Sequence, residues 1–232
     1  MKYREIVEGV FIDRPNRFIA HIDVNGTMET VHVKNTGRCK ELLIPGVQVF
    51  LEKSSNPARK TAYDLVCVNK MGRLINMDSQ MPNKAALEWV RAGHLFPEEV
   101  QVTPEKTYGN SRFDLYAYSD KRRAFIEVKG VTLEADNVAR FPDAPTARGV
   151  KHLEELIRCM EDGYEAYLLL VIQMKGIIGF EPNWDTHREF GVTLQKAKKA
   201  GVHILAYDCL VEPERMEIQN PVPVCLEENK CR

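Results

Sequence analysis

Residues 105–130 read EKTYGNSRFDLYAYSDKRRAFIEVKG, a stretch that combines strand-forming residues with closely spaced charges. Residues 112–118 and 123–129 are rich in aromatic and apolar residues, as expected of two neighbouring strands. The intervening residues 119–122, Ser-Asp-Lys-Arg, have the polar composition of a turn. The stretch is therefore predicted to form a β-hairpin, and the hairpin determines which charged side chains meet.

A symmetric hairpin loop places Asp114 opposite Glu127, and Arg112 opposite Lys129. Because side chains alternate between the two faces of a strand, Glu127 and Lys129 share a face with Asp114. Asp114, Glu127 and the Val128 carbonyl could hold Mg²⁺ or Mn²⁺, with water in the other positions. Lys129 could then orient an attacking water or offset charge on a phosphate. This pattern predicts a metal-assisted hydrolytic site.

The same charges have an alternative explanation. An Asp that faces a Glu on a strand can simply be solvated, or paired with Arg112 and Lys129. Like charges directly opposite one another are unfavourable in a sheet, and this hairpin would contain two such pairs, which favours the functional interpretation. Glu88 and Glu105 are further candidate catalytic residues that would complete the acidic shell.

Residues 83–232 alternate between helical and strand patterns, which predicts a mixed α/β domain with a central sheet flanked by helices. Asn83 is expected to cap a helix over 84–92. Residues 166–172 form a continuous apolar run, typical of a strand covered on both faces. The tail beyond Glu212 is expected to be loose. The remaining predicted elements are strands at 98–106 and 203–207 and helices at 146–161 and 186–200.

Residues 1–82 form the predicted first domain, with short strand patterns separated by turns. Asn25-Gly26 is the pair that best suits a two-residue type I′ hairpin turn, and the resulting register points Phe18 into the core. A short helix is expected over residues 38–43. One helix after the third strand matches a small barrel of the oligonucleotide-binding (OB) type. The strand patterns lie at 6–13, 17–24, 28–34, 47–53, 62–69 and 72–77.

Positive charge is concentrated at one edge of the predicted barrel. Arg17 lies opposite Lys34 in the hairpin register, and Arg14 and Arg38 are close in sequence to the same end. Clustered basic side chains bind phosphate groups and supply most of the non-specific affinity for nucleic acid. These residues are expected to bind nucleic acid, although the cluster could also be an ordinary solvated rim.

A second predicted phosphate site lies at the start of the helix over 146–161, where Arg148, Lys151 and His152 fall in the first turns. A helix N-terminus with basic side chains attracts anions. These three residues, together with Arg112, are expected to contact nucleic acid. The preceding segment FPDAPTARG could alternatively provide only a helix cap and a stiff loop.

The composition excludes several classes of protein. The chain has 232 residues, of which 44% are hydrophobic and 28% charged, as in a globular rather than a disordered protein. A net charge of −1 gives no bulk indication of a polyanionic partner. The longest apolar run is too short to cross a membrane. The six scattered cysteines suit free thiols in a reducing compartment, so a cytoplasmic location without a membrane partner is expected.

Five segments resemble the sugar fermentation stimulation protein A family: RPNRF (14–18), NTGR (35–38), YGNSRFD (108–114), EVKGVTL (127–133) and FPDAPTARGVKHLEEL (141–156). The resemblance spans nearly the whole chain. It implies an N-terminal OB-like barrel joined to a restriction-endonuclease-like domain, in which Asp114, Glu127 and Lys129 are similar to the PD-(D/E)XK signature. Phe113 stands where that signature has Pro. The family is associated with DNA binding and with regulation of sugar metabolism, chiefly of maltose.

Two functions from different classes remain open. The first is a metal-dependent phosphodiesterase that acts on DNA, either double-stranded or single-stranded, or on RNA. In this case the barrel holds the strand and the second domain cuts it. The second is a non-catalytic DNA-binding regulator built on a nuclease fold. Opposed carboxylates favour the enzyme, since they repel phosphate unless a cation lies between them. The regulatory association of the family favours the binding protein. The oligomeric state is left open.

Overall fold

The computed structural model describes residues 2–35 and 37–228. The first domain is a barrel in which the strands follow the order β3-β2-β1-β4-β5-β6, and a parallel β3–β5 pairing closes it. Two-residue turns and short loops connect neighbouring antiparallel strands. The strands are β1 (Ile6–Asn16), β2 (Ile19–Val24), β3 (Thr27–Val33), β4 (Gln48–Lys53), β5 (Tyr63–Lys70) and β6 (Arg73–Asn76).

The β2–β3 hairpin confirms the predicted turn and register. Asn25 and Gly26 have φ values of 53° and 82°, as a type I′ turn requires. Ile19 pairs with His32, and the Gly26 amide donates to Asp23 Oδ1 at 2.7 Å. Local turn chemistry therefore sets the pairing of this part of the barrel.

Two predictions for the barrel are wrong. Residues 38–43 form a hydrogen-bonded turn instead of a helix, with the Leu43 amide donating to the Cys39 carbonyl at 2.9 Å. Phe18 is not in the core, because 51% of its surface is exposed. The backbone of Phe18 does pair with Val33, so the register is as predicted. The hairpin edge at which Phe18 lies is not covered by other residues.

The second domain is built on a six-stranded sheet with the order β15-β14-β12-β9-β8-β7. β9 and β12 are parallel, as are β12 and β14, whereas the outer pairings are antiparallel. A smaller sheet with the order β10-β11-β13 lies beside it. The elements are α1 (Met81–Arg91), β7 (Gln101–Tyr108), β8 (Ser111–Tyr118), β9 (Arg123–Val131), β10 (Leu133–Ala135), β11 (Val138–Phe141), α2 (Ala147–Glu161), β12 (Glu165–Ile172), β13 (Gly179–Pro182), α3 (Arg188–Lys199), β14 (His203–Glu212) and β15 (Arg215–Pro221).

The helices cover the two faces of the central sheet. α1 packs with its buried residues against one face, and α2 and α3 pack against the other. Thr146 caps α2, since its hydroxyl accepts from the Gly149 amide at 2.9 Å. α1 begins earlier than predicted, after Gln80, with Pro82 in its first turn. Asn83 is therefore not the cap, and the predicted domain division after residue 82 falls inside the first turn of α1.

The C-terminal segment was predicted to be loose, and the structure contradicts this. β15 pairs antiparallel with β14 at the edge of the central sheet. Met216 and Ile218 of β15 are buried beneath α1. The alternation of these apolar residues with Glu217 and Gln219 is a strand pattern, which the surrounding Pro and Glu residues obscure.

The cysteines follow the prediction only in part. Four of them are free and buried: Cys39, Cys67, Cys159 and Cys209. Cys225 is disulfide-bonded, so the expectation of free thiols fails there. Cys231 lies outside the described residues. Over residues 2–35 and 37–228, no helix is long and apolar enough to span a bilayer.

Gln173, at the end of β12, joins the two domains. Its side-chain amide donates to the Asn76 carbonyl and to Asn76 Oδ1, both at 3.0 Å, and to the Asp78 carbonyl at 3.2 Å. All of these groups are buried. Buried carbonyl groups that lose their donor are costly, so this amide stabilises the joint between barrel and sheet.

We expect Gln173→Ala to lower the free energy of unfolding by about 2 kcal/mol, because it removes the buried hydrogen bonds that join the two domains. Urea denaturation followed by circular dichroism measures this loss. Gln219→Ala, at an exposed position on β15, is the matched control and is expected to be neutral. Equal stability of the two variants would contradict a stabilising role for Gln173.

Candidate functional site

The candidate site lies where the pairing of β8 with β9 ends. Leu115 and Ile126 are the last paired residues, in the predicted register. Beyond them, Asp114 Oδ2 accepts from the Val128 amide at 2.8 Å. Arg112 and Lys129 were predicted to be paired, but the ladder does not extend to them. The carboxylate of Asp114 thus replaces a strand carbonyl as the acceptor for the Val128 amide at the open end of the hairpin.

Asn83 connects α1 to this site. Its side-chain amide donates to Asp114 Oδ1 at 2.6 Å. The carboxylate of Asp114 is therefore held on both oxygens, by a helix on one side and by the Val128 amide on the other. The sequence predicts a helix cap at Asn83. Its contact with Asp114 depends on how α1 packs against the sheet, which the sequence pattern does not show.

Glu127 is the most deeply buried acid of the site, with 2% of its surface exposed. Its Oε1 accepts from Lys129 Nζ at 2.5 Å and also from His152 Nδ1. Its Oε2 is buried and has no hydrogen-bond partner among the residues that the structure describes. One oxygen of this carboxylate is thus shared by two donors, and the other is left for a ligand.

His152 lies on α2 and is 5% exposed, so it is a component of the site's interior rather than of the nucleic-acid surface predicted for it. Arg148 Nε donates to His152 Nε2 at 3.3 Å. An imidazole nitrogen that accepts leaves the proton on the other nitrogen, which here faces Glu127. The chain Arg148–His152–Glu127 therefore orients the carboxylate from the helical side.

The two carboxyl groups have opposite pKa shifts. Burial, and then the negative charge of Glu127, raise the pKa of Asp114 to about 6, against the effect of the Val128 amide, Lys129 and Asn83. Burial also acts to raise the pKa of Glu127. His152 and Lys129 outweigh it, however, so the pKa of Glu127 is lowered. Near neutral pH the site therefore holds one firmly ionised carboxylate and one that ionises readily.

The residues present fit a divalent cation. A buried carboxylate oxygen without a partner needs a cation or a donor, and Glu127 Oε2 is such an atom. Asp114 and the Val128 carbonyl would be the other oxygen ligands, which are the type that Mg²⁺ and Mn²⁺ prefer. Within the described part of the chain, no three His, Cys, Asp or Glu side chains form a metal-binding group. Water would supply the remaining positions.

The other acids predicted to be catalytic lie apart from these two. Glu105 is exposed and pairs with Arg112, with 3.6 Å between its Oε2 and Arg112 Nη1. Glu88 lines a separate cleft between α1 and β15. A separation of five residues places it about 140° round the helix from Asn83, which contacts Asp114. The structure therefore brings together Asp114, Glu127 and Lys129 but not Glu88 or Glu105.

The basic residues of the barrel that were predicted to bind nucleic acid separate into three groups. Arg17 and Arg38 are exposed beside a cleft, which also includes Lys40, a residue that the sequence analysis missed. Lys34 is not at that surface, because its ammonium lies 3.2–3.5 Å from Glu52, Asp64 and Asp78. Arg14 is used internally. Its guanidinium donates to four backbone carbonyls, those of Arg17, Asn35, Gly37 and Arg38.

The basic residues of α2 lie beside the site. Arg148 is exposed apart from its contact with His152. Lys151 is exposed, and its ammonium donates to the Asn110 carbonyl at 2.8 Å, in the turn between β7 and β8. Arg112, on β8, is exposed and pairs with Glu105. Each of these three side chains already has a protein partner, and their predicted contact with nucleic acid stays a prediction.

A closed OB barrel joined to a restriction-endonuclease-like α/β domain, with a carboxylate–lysine patch on its central hairpin, defines the class of this protein. Residues 12–77 match the model of the SfsA N-terminal OB domain, and residues 80–215 match that of the sugar fermentation stimulation protein RE domain. The chain therefore belongs to the sugar fermentation stimulation protein family. The predicted fold class and the predicted resemblance are both confirmed.

Relatives cover nearly the whole chain. A sugar fermentation stimulation protein homolog of Clostridium beijerinckii is 54% identical over 97% of this chain and 100% of its own. The homolog of Ruminiclostridium cellulolyticum is 55% identical over the same shares. Among solved structures, Pyrococcus furiosus SfsA in complex with Ca²⁺ has a TM-score of 0.86 and 26% identity, with 97% of each chain covered.

The raised pKa of Asp114 predicts a pH-dependent stability in metal-free buffer. Between its ordinary value of 3.8 and about 6, the folded state holds a proton that the unfolded state releases. The contribution of Asp114 to the free energy of unfolding is therefore expected to fall by about 2 kcal/mol as pH rises through this window, and to change little above it. Denaturation of the wild type and of Asp114→Asn, in EDTA at pH 4 and pH 7, measures the effect.

Asp114→Asn is expected to lose this component of the pH dependence, because asparagine does not titrate and can still accept from the Val128 amide. The matched control is Glu105→Gln, at an exposed carboxylate on the neighbouring strand, which should keep the wild-type profile. Identical profiles for the wild type and Asp114→Asn would show that Asp114 titrates at its ordinary pKa in the folded protein.

Proposed function

We propose that the protein is a divalent-cation-dependent phosphodiesterase that binds and hydrolyses nucleic acid, DNA or RNA. The observation that carries the proposal is the unpartnered, buried Oε2 of Glu127 beside Asp114, with Lys129 on the other oxygen. A protein that only bound nucleic acid would have no need of two acids at a phosphate surface, since they repel the backbone. Those acids become useful when a cation lies between them and the substrate.

Each residue of the patch has a distinct role in this proposal. Glu127 and Asp114, with the Val128 carbonyl, would hold Mg²⁺ or Mn²⁺ and so place the scissile phosphate. Lys129 directs its ammonium to the same site, where it orients the attacking water and offsets negative charge on the phosphate. The bound cation would supply Lewis-acid polarisation of the phosphate and ease deprotonation of the water. Hydrolysis then adds water across one phosphorus–oxygen bond.

His152 and Asn83 act through the two carboxylates. His152 fixes Oε1 of Glu127, so the free Oε2 keeps one orientation. Asn83 does the same for Asp114 through Oδ1. Partners of this kind, behind the groups that bind a metal, set the position and basicity of those groups. The Pyrococcus furiosus relative in complex with Ca²⁺ supports divalent-cation binding by this family.

A second candidate function is that of a DNA-binding regulator of sugar metabolism that uses the nuclease fold without catalysis. One observation favours it: Arg17, Arg38 and Lys40 line a cleft that lies apart from the acidic patch. Binding through those residues would proceed whether or not phosphodiester bonds are cut. The two candidates differ in what a divalent cation does, and the experiments below separate them.

We expect the wild type to cut single-stranded or double-stranded DNA or RNA with Mg²⁺ or Mn²⁺ and not with EDTA. Glu127→Gln and Lys129→Ala are each expected to lose roughly 100-fold or more in cleavage rate, since each removes a charge placed at the reacting phosphate. Gel analysis of end-labelled substrates measures the rates. The structure provides matched controls in Glu88→Gln and Glu105→Gln, which remove acids outside the patch and should cut like the wild type.

Binding without cutting by the wild type, on every substrate and with either metal, would refute the phosphodiesterase proposal and favour the regulator. Equal losses in all four variants would instead indicate that the cleavage depends on overall acidity or stability. Circular dichroism shows whether each variant is folded, and so separates a loss of stability from an effect of overall acidity.

Cation binding can be measured without substrate. We expect the wild type to bind Mn²⁺ or Ca²⁺ in calorimetric titrations, and Glu127→Gln to bind about tenfold or more weakly, because Oε2 loses its charge. Glu105→Gln is again the control and should bind like the wild type. Unchanged affinity in Glu127→Gln would place the cation elsewhere.

A further inference from the structure

Phe18 is an exposed aromatic ring on a rigid turn. It lies between β1 and β2, with its amide donating to Asn16 Oδ1 at 2.9 Å and its carbonyl accepting from the Val33 amide at 2.8 Å. The following amide, of Ile19, also donates to Asn16 Oδ1. Every backbone group of Phe18 is therefore fixed, while half of the side chain faces solvent. A large apolar ring held outward in this way is suited to stacking.

Three cations lie beside this turn. Arg17, Arg38 and Lys40 are exposed and line a cleft of about 510 Å³. Arg14 holds the cleft together, because one guanidinium binds the Arg17 carbonyl at 2.6 Å and the Arg38 carbonyl at 2.8 Å. Two basic side chains from separate loops are thus presented at a fixed spacing.

The cleft extends from the barrel to the second domain. Ala144, which precedes α2, forms part of its wall. Gly37 lines both this cleft and a smaller one of about 180 Å³. Gly130 of β9, and Thr132 just after β9, also line the smaller cleft. A methyl group on Gly37 would lie 2.6 Å from Asp143 Oδ2, so the loops of the two domains are in contact here. The basic cleft thus continues towards the end of β9, the strand that carries Glu127 and Lys129.

We infer that the cleft binds single-stranded nucleic acid, with a base stacked on Phe18 and backbone phosphates on Arg17, Arg38 and Lys40. A base inside a duplex has both faces covered by its neighbours, whereas an unpaired base offers a free face to an aromatic ring. The inference rests on the proposed function, in that it identifies the substrate of the acidic patch as a single strand. Its test uses binding alone and needs no cleavage.

The experiment measures fluorescence anisotropy of labelled oligothymidylate, of a duplex of equal length, and of an abasic strand with the same number of phosphates. The full-length chain is used in EDTA, so no strand is cut. Phe18→Ala is expected to weaken oligothymidylate binding roughly 5- to 150-fold, the range found for loss of one stacked base. The same substitution should leave binding of the abasic strand unchanged, because that strand has nothing to stack.

Three further variants separate stacking from charge and from general damage. Phe18→Trp keeps an aromatic face and should bind oligothymidylate like the wild type. Met28→Ala, at another exposed apolar side chain of the barrel, should have no effect on any strand. Arg38→Ala should weaken the oligothymidylate and the abasic strand alike, and should reduce the slope of log affinity against log salt by about 0.7.

The outcomes for the inference and for the proposed function are distinguishable. Strand binding that is equal in the wild type and Phe18→Ala, or wild-type preference for the duplex, overturns the inference and leaves the nuclease proposal standing. A wild type that binds none of the three probes overturns the inference, and the cleavage assay with Mg²⁺ or Mn²⁺ then decides the proposed function separately. Loss of abasic-strand binding in Phe18→Ala would show that the substitution damages the cleft, and would also overturn a stacking role.

Discussion

The burial of the Glu127 carboxylate is the constraint on which the site depends. A carboxylate with 2% exposure in a sheet loses its hydration, and it remains ionised only if the protein supplies compensating charge and donors. Lys129 provides a charge and a donor, and His152 provides a second donor, on a single oxygen. The charge kept at Glu127 then acts on Asp114, whose pKa rises as a result of burial and of that charge. One buried group therefore sets the protonation of its neighbour.

The depth of Glu127 follows from its place in the sheet. β9 lies inside the sheet, between antiparallel β8 and parallel β12, and the helices packed on the two faces of the sheet cover its central residues. The β8 pairing stops at Leu115, just before Asp114, and the strands are free there to admit a ligand. A site at the point where the β8–β9 pairing ends combines a rigid sheet with backbone groups that are not paired between these two strands. This combination allows side chains to be held firmly and still reach a substrate.

Local chemistry explains why part of the structure was predictable from the sequence. The turns at Asn25-Gly26 and at residues 119–122 each set a hairpin register, and both registers are correct. The register also brought Asp114, Glu127 and Lys129 together correctly. The predictions that are wrong concern contacts with segments that are distant in sequence. Whether Phe18 is covered depends on which loops pack over the hairpin edge, and period-2 alternation says nothing about that.

The same limit applies to the partners of the site. His152 was assigned to a phosphate surface because it lies in the first turns of a helix, but the packing of α2 on the sheet turns it inward to Glu127. The sequence pattern predicts a helix cap at Asn83, but the packing of α1 directs its side chain to Asp114. Lys34 has the charge of a phosphate ligand, yet the barrel surrounds it with three acids. Each role is decided by tertiary neighbours, which one sequence does not reveal.

The separation of acids from free cations within one chain has a physical reason. Two carboxylates at a phosphate would repel it, and Lys129 beside them is already bound to Oε1 of Glu127. In the function proposed above, Arg17, Arg38 and Lys40 in their cleft on the barrel attract the polyanion apart from the acidic patch. Gln173 and the Gly37–Asp143 contact keep the two parts in fixed relation. The net charge of −1 over the whole chain therefore carries no information about how charge is distributed between the cleft and the site.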